Sequence, residues 1–338
     1  MTIASRLRFM RETPDEWDDY NESEDAPGPA SATPVTLTVP AEALGQRLDQ
    51  VLAQALPDYS RNRLQTWIED GRVSVDGLAR AGKYRLFGGE TLQVTPATEI
   101  GALADAGEDI PLDVLHADAD IAIINKPAGL VVHPGSGVAS GTLLNALLHH
   151  FPETVAVPRA GIVHRLDRDT SGLLVVGRTL RAQTRLVEAM KVRAISRRYT
   201  ALATGRIEST QIVDAPVGRD PKHRTRMAVT PSGREARTHI TPLEQLDGAT
   251  LIDCELDTGR THQIRVHCRY IGNPLVGDPV YLSRAPRQAL LAAFPRQALH
   301  ARELALQHPI SGKALRFESP LATDFSTLLQ RLREEQAR

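Results

Sequence analysis

Gly161-Ile162-Val163-His164-Arg165-Leu166-Asp167-Arg168-Asp169-Thr170-Ser171-Gly172 is the stretch from which this chain is best read. It runs into Leu173-Leu174-Val175-Val176, a buried-strand candidate, and packs two carboxylates and two guanidiniums into the loop before it. Asp-Thr-Ser-Gly is ordinary turn chemistry, and a lone aspartate in such a loop usually bonds nearby backbone. By itself the stretch marks a strand boundary. Any chemistry must come from what surrounds it.

On either side lie further strands. Ile121-Ala122-Ile123-Ile124 is a second buried run, Arg198 to Ala203 alternates, and so does Leu251 to Leu256. In the last of these, Ile252, Cys254 and Leu256 fall on one face and Asp253 and Glu255 on the other. Helical patterns cover Thr142–His150 and Arg181–Val192. A third helix opens near Thr261 and carries Arg265 and Arg269 at i, i+4, where such residues ordinarily face solvent. Many short strands with irregularly spaced helices predict an α+β domain over residues 110–330, with 331–338 as a C-terminal tail. The Ala-, Gly- and acid-rich segment 97–109 reads as a linker.

Before the linker, residues 35–96 form a smaller α/β pattern. Leu48, Val51, Leu52 and Ala55 share a helix face, and Ser60 can cap a second helix carrying Leu64, Trp67 and Ile68, with Gly71 past its end. Val73 and Val75 lead into an Asp76-Gly77 hairpin turn, and Thr91–Val94 closes the sheet. Residues 1–34 are acidic, contain Pro27, Pro29 and Pro34, and show no period, so a disordered tail is expected.

The 338 residues suffice for two domains, and 41% apolar with 24% charged residues is ordinary globular composition. No run reaches the roughly 18 apolar residues of a membrane span, and the N-terminus has no secretory pattern. Two cysteines, Cys254 and Cys268, match no metal or redox spacing, so a cytoplasmic protein is expected. A net charge of −1 hides a split. Residues 1–30 carry three basic against eight acidic side chains, whereas 159–269 carry 20 against 12, an excess suited to an anionic partner. His262 and His267 lie about 140° apart on a helix, which argues against a shared metal site. Gly135-Ser136-Gly137 and Gly141 do not fit the dinucleotide fingerprint and read as a turn.

Two resemblances join these segments. Gln46–Leu52, Ser60-Arg61 and Gly71–Gly77 resemble the S4 RNA-binding domain, which implies RNA contacts from Arg61, Arg63, Arg72 and Lys83. The 161–172 loop is similar to the signature of the RluA-type pseudouridine synthases. So, in the family's order, are Ile124–Pro134, Arg198–Leu202, Thr258–His267 and Arg296–Ala301. The resemblance implies an α+β fold with a mixed, mainly antiparallel sheet. It implies that Asp167 is the catalytic aspartate, Tyr199 the tyrosine against the target base, Arg265 the aspartate's basic partner, and Arg165 the residue that fills the gap left by a flipped uridine. The family's usual lysine two residues before the tyrosine is Arg197 here.

Isomerising uridine needs no redox change and no outside nucleophile, so neither cofactor nor metal is expected, and Asp167 can serve as nucleophile or as base. Lys126, Arg168, Lys222, Arg224, Arg226 and Arg260 are further expected RNA contacts. The implied partner is structured ribosomal RNA or a large-subunit precursor, bound by a monomer. Within the family the chain looks most like the RluD branch, with the RluC branch next. Two other classes stay open at this stage: a non-catalytic ribosome-assembly factor, and a glycoside hydrolase using Asp167 and Asp169.

Overall fold

Short amphipathic segments and turn residues build the N-terminal unit of this computed structural model, which describes residues 34–56, 59, 61–96, 106–134, 138–223 and 226–338, apart from the side chains of 61–63. The expected tail before residue 34, most of the expected linker, the Ser60 cap and the 135–137 turn lie outside the described residues. Strands β1 (Val35–Thr38), β2 (Val73–Val75), β3 (Leu78–Ala79) and β4 (Thr91–Val94) form an antiparallel sheet in the order β1-β4-β2-β3. Helices α1 (Leu48–Ala55) and α2 (Arg61–Glu69) bring Leu48, Leu52, Leu64 and Trp67 to one core with Val73, Leu92 and Val94. Asp76 and Gly77 have φ of 49° and 74°, the two left-handed positions of a tight hairpin.

The larger domain follows from strands buried on both faces. It contains β5 (Asp113–Ala117), β6 (Ile121–Lys126), α3 (Leu143–His150), β7 (Ser171–Gly177), α4 (Leu180–Lys191), β8 (Ser196–Thr204) and β9 (Gln211–Asp214). There follow the β10 (Val217–Arg219) and β11 (Met227–Val229) hairpin, β12 (Arg237–Leu246), β13 (Ala249–Leu256), α5 (Gln263–Tyr270), α6 (Ala289–Ala293), β14 (Leu299–Gln307), β15 (Ala314–Glu318) and α7 (Thr323–Gln336). A nine-stranded sheet runs β5-β6-β7-β14-β8-β13-β12-β9, with β15 on β14; among the described strands the β7–β14 pair is parallel and the others antiparallel. On β6 the side chains alternate between two cores: Ile121 and Ile123 meet Val175 and Leu186, while Ala122 and Ile124 meet Leu143, Leu147 and Ile162. With both faces covered, the strand reads as a continuous apolar run.

On the polar face of β13, Asp253 is 4% exposed and bonds Arg198 at 2.6 Å and Arg302 at 3.1 Å. One expectation is corrected. Residues 331–338 are not a tail, because α7 runs to Gln336 and buries Leu332 with Phe325, Leu328 and Leu329.

The parallel β7–β14 contact is narrow, pairing His300 with Ser171 and Ala301 with Gly172. Gly172 has φ of 113°, and a Cβ there would sit 2.2 Å from the Ala301 carbonyl oxygen. Gly312 also has positive φ, 71°, but open space beside it. Gly172→Ala is expected to cost about 2 kcal/mol or more, and Gly312→Ala about 1 kcal/mol, as read by urea unfolding. Equal losses would show that the β7–β14 approach is not tight.

Candidate active site

The loop before β7 owes its shape to groups that reach it from distant segments. The Arg168 carbonyl accepts from Lys126 Nζ at 2.8 Å and from the Gly129 N–H at 2.9 Å. The Asp169 carbonyl accepts from Arg296 Nη1 at 3.0 Å, and the Thr170 hydroxyl from Gln297 Nε2 at 3.2 Å. Ser171 Oγ lies 2.9 Å from His300 Nδ1. The loop also closes on itself, Thr170 N–H donating to the Asp167 carbonyl at 3.0 Å. With its backbone polar groups engaged, the turn holds the Asp167 side chain at one place.

Asp167 meets Arg265 there, Nη1 to Oδ2 at 2.8 Å. Arg265 is 4% exposed, contrary to the solvent-facing position its helix spacing suggested. What makes the burial tolerable is Asp278, fully buried and bound to Arg265 Nε at 2.7 Å and Nη2 at 2.9 Å. Asp278 in turn accepts the N–H groups of Val280 and Tyr281. Arg265 sits in the first turn of α5. The entry to that helix is fixed by Gln263, which bonds Thr258, the Arg260 N–H, the Arg237 carbonyl and Thr238.

Burial alone would raise the Asp167 carboxyl, but His262, Arg265 and Arg165 more than offset it and hold it below its ordinary value. Burial also lowers the His262 pKa, so near neutral pH that imidazole adds little charge and the permanent one is the Arg265 guanidinium. The carboxylate is therefore ionised at neutral pH. Its contribution to stability is present above the unfolded value, about 3.9, and is lost as pH falls through the lower folded value.

A pocket of about 50 Å³ opens over the carboxylate, lined among others by Arg165, Asp167, Arg197, Tyr199, Arg260, His262 and Arg265. Tyr199 is 6% exposed, held between Cys254 of β13 and Ala301 of β14. Arg165 is exposed at the mouth. Arg197 is buried, and a Cβ on Gly259 would lie 2.6 Å from its Nη1, so the glycine makes room for it. A larger cavity, about 330 Å³, opens on the opposite sheet face beside α7. Its Arg198, Arg302 and Arg333 are paired with Asp253 and Glu244, and it holds none of Asp167, Tyr199 or Arg265, so the smaller pocket is the candidate site.

Lys126 is corrected. It is fully buried, its amine donates to the carbonyls of Pro127, Leu130 and Arg168, and burial pushes it down to about 7 against the pull of Asp167 and Asp169. It braces the loop and cannot face RNA. Arg168 is exposed and pairs with Asp169 at 3.2 Å; Arg260 is half-buried and donates to the Glu235 carbonyl. Lys83, Lys222 and Arg226 are exposed and Arg72 is half-buried. Arg224 and the side chains of Arg61 and Arg63 lie outside the described residues. Sequence reasoning missed Asp278, Tyr281 and the place of His262 in the pocket. The one signal for Asp278 was indirect, since a buried arginine needs carboxylates.

Among the described residues one group has metal-like geometry, Asp118, Asp120 and His308. His308 Nδ1 accepts from the Ile310 and Ser311 N–H groups at 3.2 and 3.0 Å, which leaves the proton on Nε2, facing Asp118 Oδ2 at 3.1 Å. That nitrogen has no lone pair for an ion, and none of the three residues lines the pocket.

Residues 46–91 match the S4 domain and residues 120–270 the RNA pseudouridylate synthase family. The ribosomal large subunit pseudouridine synthase D of Nitrosomonas europaea is 53% identical over 302 residues, 88% of each chain. That of Escherichia coli is 48% identical over 315 residues, 90% of this chain and 96% of its own. The solved structure of human RNA pseudouridylate synthase domain containing 1 matches with a TM-score of 0.52 at 26% identity, over 67% of this chain and 96% of the other.

Asp278→Asn would leave the buried Arg265 short of a charge partner and is expected to cost about 3 kcal/mol in urea unfolding. Glu244→Gln, on the half-exposed Arg333 pair, should cost under about 1 kcal/mol. A cheap Asp278→Asn would mean that Arg265 is not held by that carboxylate.

Proposed function

The chain belongs to the RNA pseudouridylate synthase family, and we propose that it isomerises uridine to pseudouridine in large-subunit ribosomal RNA, with Asp167 as the catalytic carboxylate. The observation that carries this reading is the Asp167–Arg265 pair, 2.8 Å apart, in a pocket shared with Tyr199 and Arg165.

The reaction conserves every atom. The C1′–N1 bond breaks, the uracil turns, a C5–C1′ bond forms, C5 loses its proton and N1 gains one. Asp167 acts at the ribose as nucleophile or as base, and both roles need the ionised form that Arg265 maintains. A stacked uridine cannot reach the pocket, so the base is flipped at a cost of a few kcal/mol. Arg165, exposed beside the mouth, fills the vacancy in the RNA, and the Tyr199 ring forms one wall for the extruded base. In this reading the residue 35–96 domain anchors structured RNA through phosphates, with Arg72 and Lys83 available, and the domain from residue 110 onward does the chemistry, aided by Lys222 and Arg226.

The large-subunit substrate is proposed because the relatives aligned over about nine-tenths of the chain carry that name. In this reading the protein acts as a monomer, since Asp167, Arg265, Tyr199 and Arg165 already share a pocket without a residue from a second copy. It needs no metal, since the isomerisation calls on none, and it works in the cytoplasm alongside its RNA. The described residues include no helix long and apolar enough to cross a membrane.

Asp167→Asn tests the reading on a ribosomal RNA transcript. Pseudouridine formation should fall below detection while RNA affinity stays within a few-fold. A variant that still forms pseudouridine would remove Asp167 from the chemistry, and release of free uracil by the native protein would indicate hydrolysis instead.

A further inference from the structure

His262 enters the pocket by a route of its own. It is the N-cap of α5 with φ 58° and ψ 19°, a left-handed conformation uncommon for a residue bearing a Cβ and kept where surrounding contacts hold it. The ring packs edge-on against Tyr281, centroids 5.6 Å apart at 83°. Its Nδ1 lies 2.9 Å from the Tyr281 hydroxyl, whose oxygen accepts the Met227 N–H at 3.0 Å. Its Nε2 lies 3.8 Å from Asp167 Oδ1, too far for a hydrogen bond, and faces the pocket.

These contacts select a tautomer. Among the hydrogen bonds of the described residues the buried Tyr281 hydroxyl meets no acceptor other than His262 Nδ1, so the phenol's own proton goes there, which leaves the imidazole proton on Nε2. The other tautomer would aim a lone pair at the Asp167 carboxylate. Asp167 and Arg165 face the ring from the loop, Arg265 from its own helix, and Asp278 and Tyr281 from the segment after it. Burial, Arg265 and Arg165 outweigh the two carboxylates and keep the ring below its ordinary pKa, hence neutral.

We propose that His262 donates a hydrogen bond from Nε2 to a carbonyl oxygen of the flipped uracil, and that Tyr281 is the positioning residue that fixes this tautomer. The proposal rests on the pseudouridine synthase reading and adds a group to it. When C1′–N1 breaks, the bonding pair stays with the uracil and spreads over N1 and the carbonyl oxygens. A fixed donor at that point stabilises the detached base while it turns, and a neutral one does so without competing for Asp167.

The test uses the full-length protein, a ribosomal RNA transcript labelled with tritium at uridine C5, and imidazole nitrogen NMR. In the native protein His262 should show a protonated Nε2 and a bare Nδ1 at neutral pH and above. His262→Leu should lower kcat about 100-fold with KM within a few-fold. His262→Gln, which can return an N–H near Nε2, should recover about tenfold of that loss. Tyr281→Phe should lower kcat by about 3- to 10-fold and shift the spectrum toward mixed tautomers. A proton on Nδ1 in the native protein, or native kcat in either His262→Leu or Tyr281→Phe, overturns the proposal. Should His262→Leu not fold, the spectrum and Tyr281→Phe decide. If Asp167→Asn abolishes product and His262→Leu does not, the functional reading stands and this inference fails. A native protein that makes no pseudouridine sinks both.

Discussion

Keeping one carboxylate ionised inside a mostly buried pocket is the constraint around which the large domain is built. A carboxyl placed beside an apolar base would by burial tend to hold its proton. Arg265 prevents this at 2.8 Å, but a buried guanidinium with a single partner is itself expensive, and Asp278 answers that with two bonds. The unit is therefore a triad of Asp167, Arg265 and Asp278, contributed by the loop before β7, by α5 and by the segment after it. Asp278 also holds the Tyr281 N–H, which ties the far end of the triad to the ring against His262.

Placement of the carboxylate depends on backbone as much as on charge. Segments far apart in sequence, Lys126–Gly129 and Arg296–His300, converge on four consecutive loop residues. Each contact takes up a polar group that would otherwise be buried alone, so the loop gains rigidity where a misplacement of about 1 Å would lose rate. Gly172 belongs to the same design: it lets β14 come close enough for Arg296 and Gln297 to reach the loop.

Much of this was legible in the amino-acid order. The strands at Ile121, Leu173, Arg198 and Leu251 follow from apolar runs and alternation, and the hairpin at Asp76-Gly77 from backbone preference. These are local signals, and local physics writes them. Asp167, Tyr199 and Arg165 came from resemblance, and the folded chain gathers them around one pocket. What stayed hidden was tertiary. Asp278 pairs with an arginine on another element, and Asp253 with two arginines on other strands. Lysines usually reach solvent, yet Lys126 ends a buried strand beneath the loop that carries Asp167. The spacing of His262 from His267 speaks only to metal ligation, and its left-handed backbone cannot be read from spacing.

Asp167 is an anion held in place by Arg265. A pH titration of carbon-13-labelled aspartate carboxyls, with Asp167 assigned by its absence in Asp167→Asn, measures this directly. Titration below the ordinary aspartate value of about 3.9 is the predicted result. A carboxyl that takes up its proton above pH ~7 would mean that burial had won over the ion pair and that Arg265 does not hold Asp167 ionised.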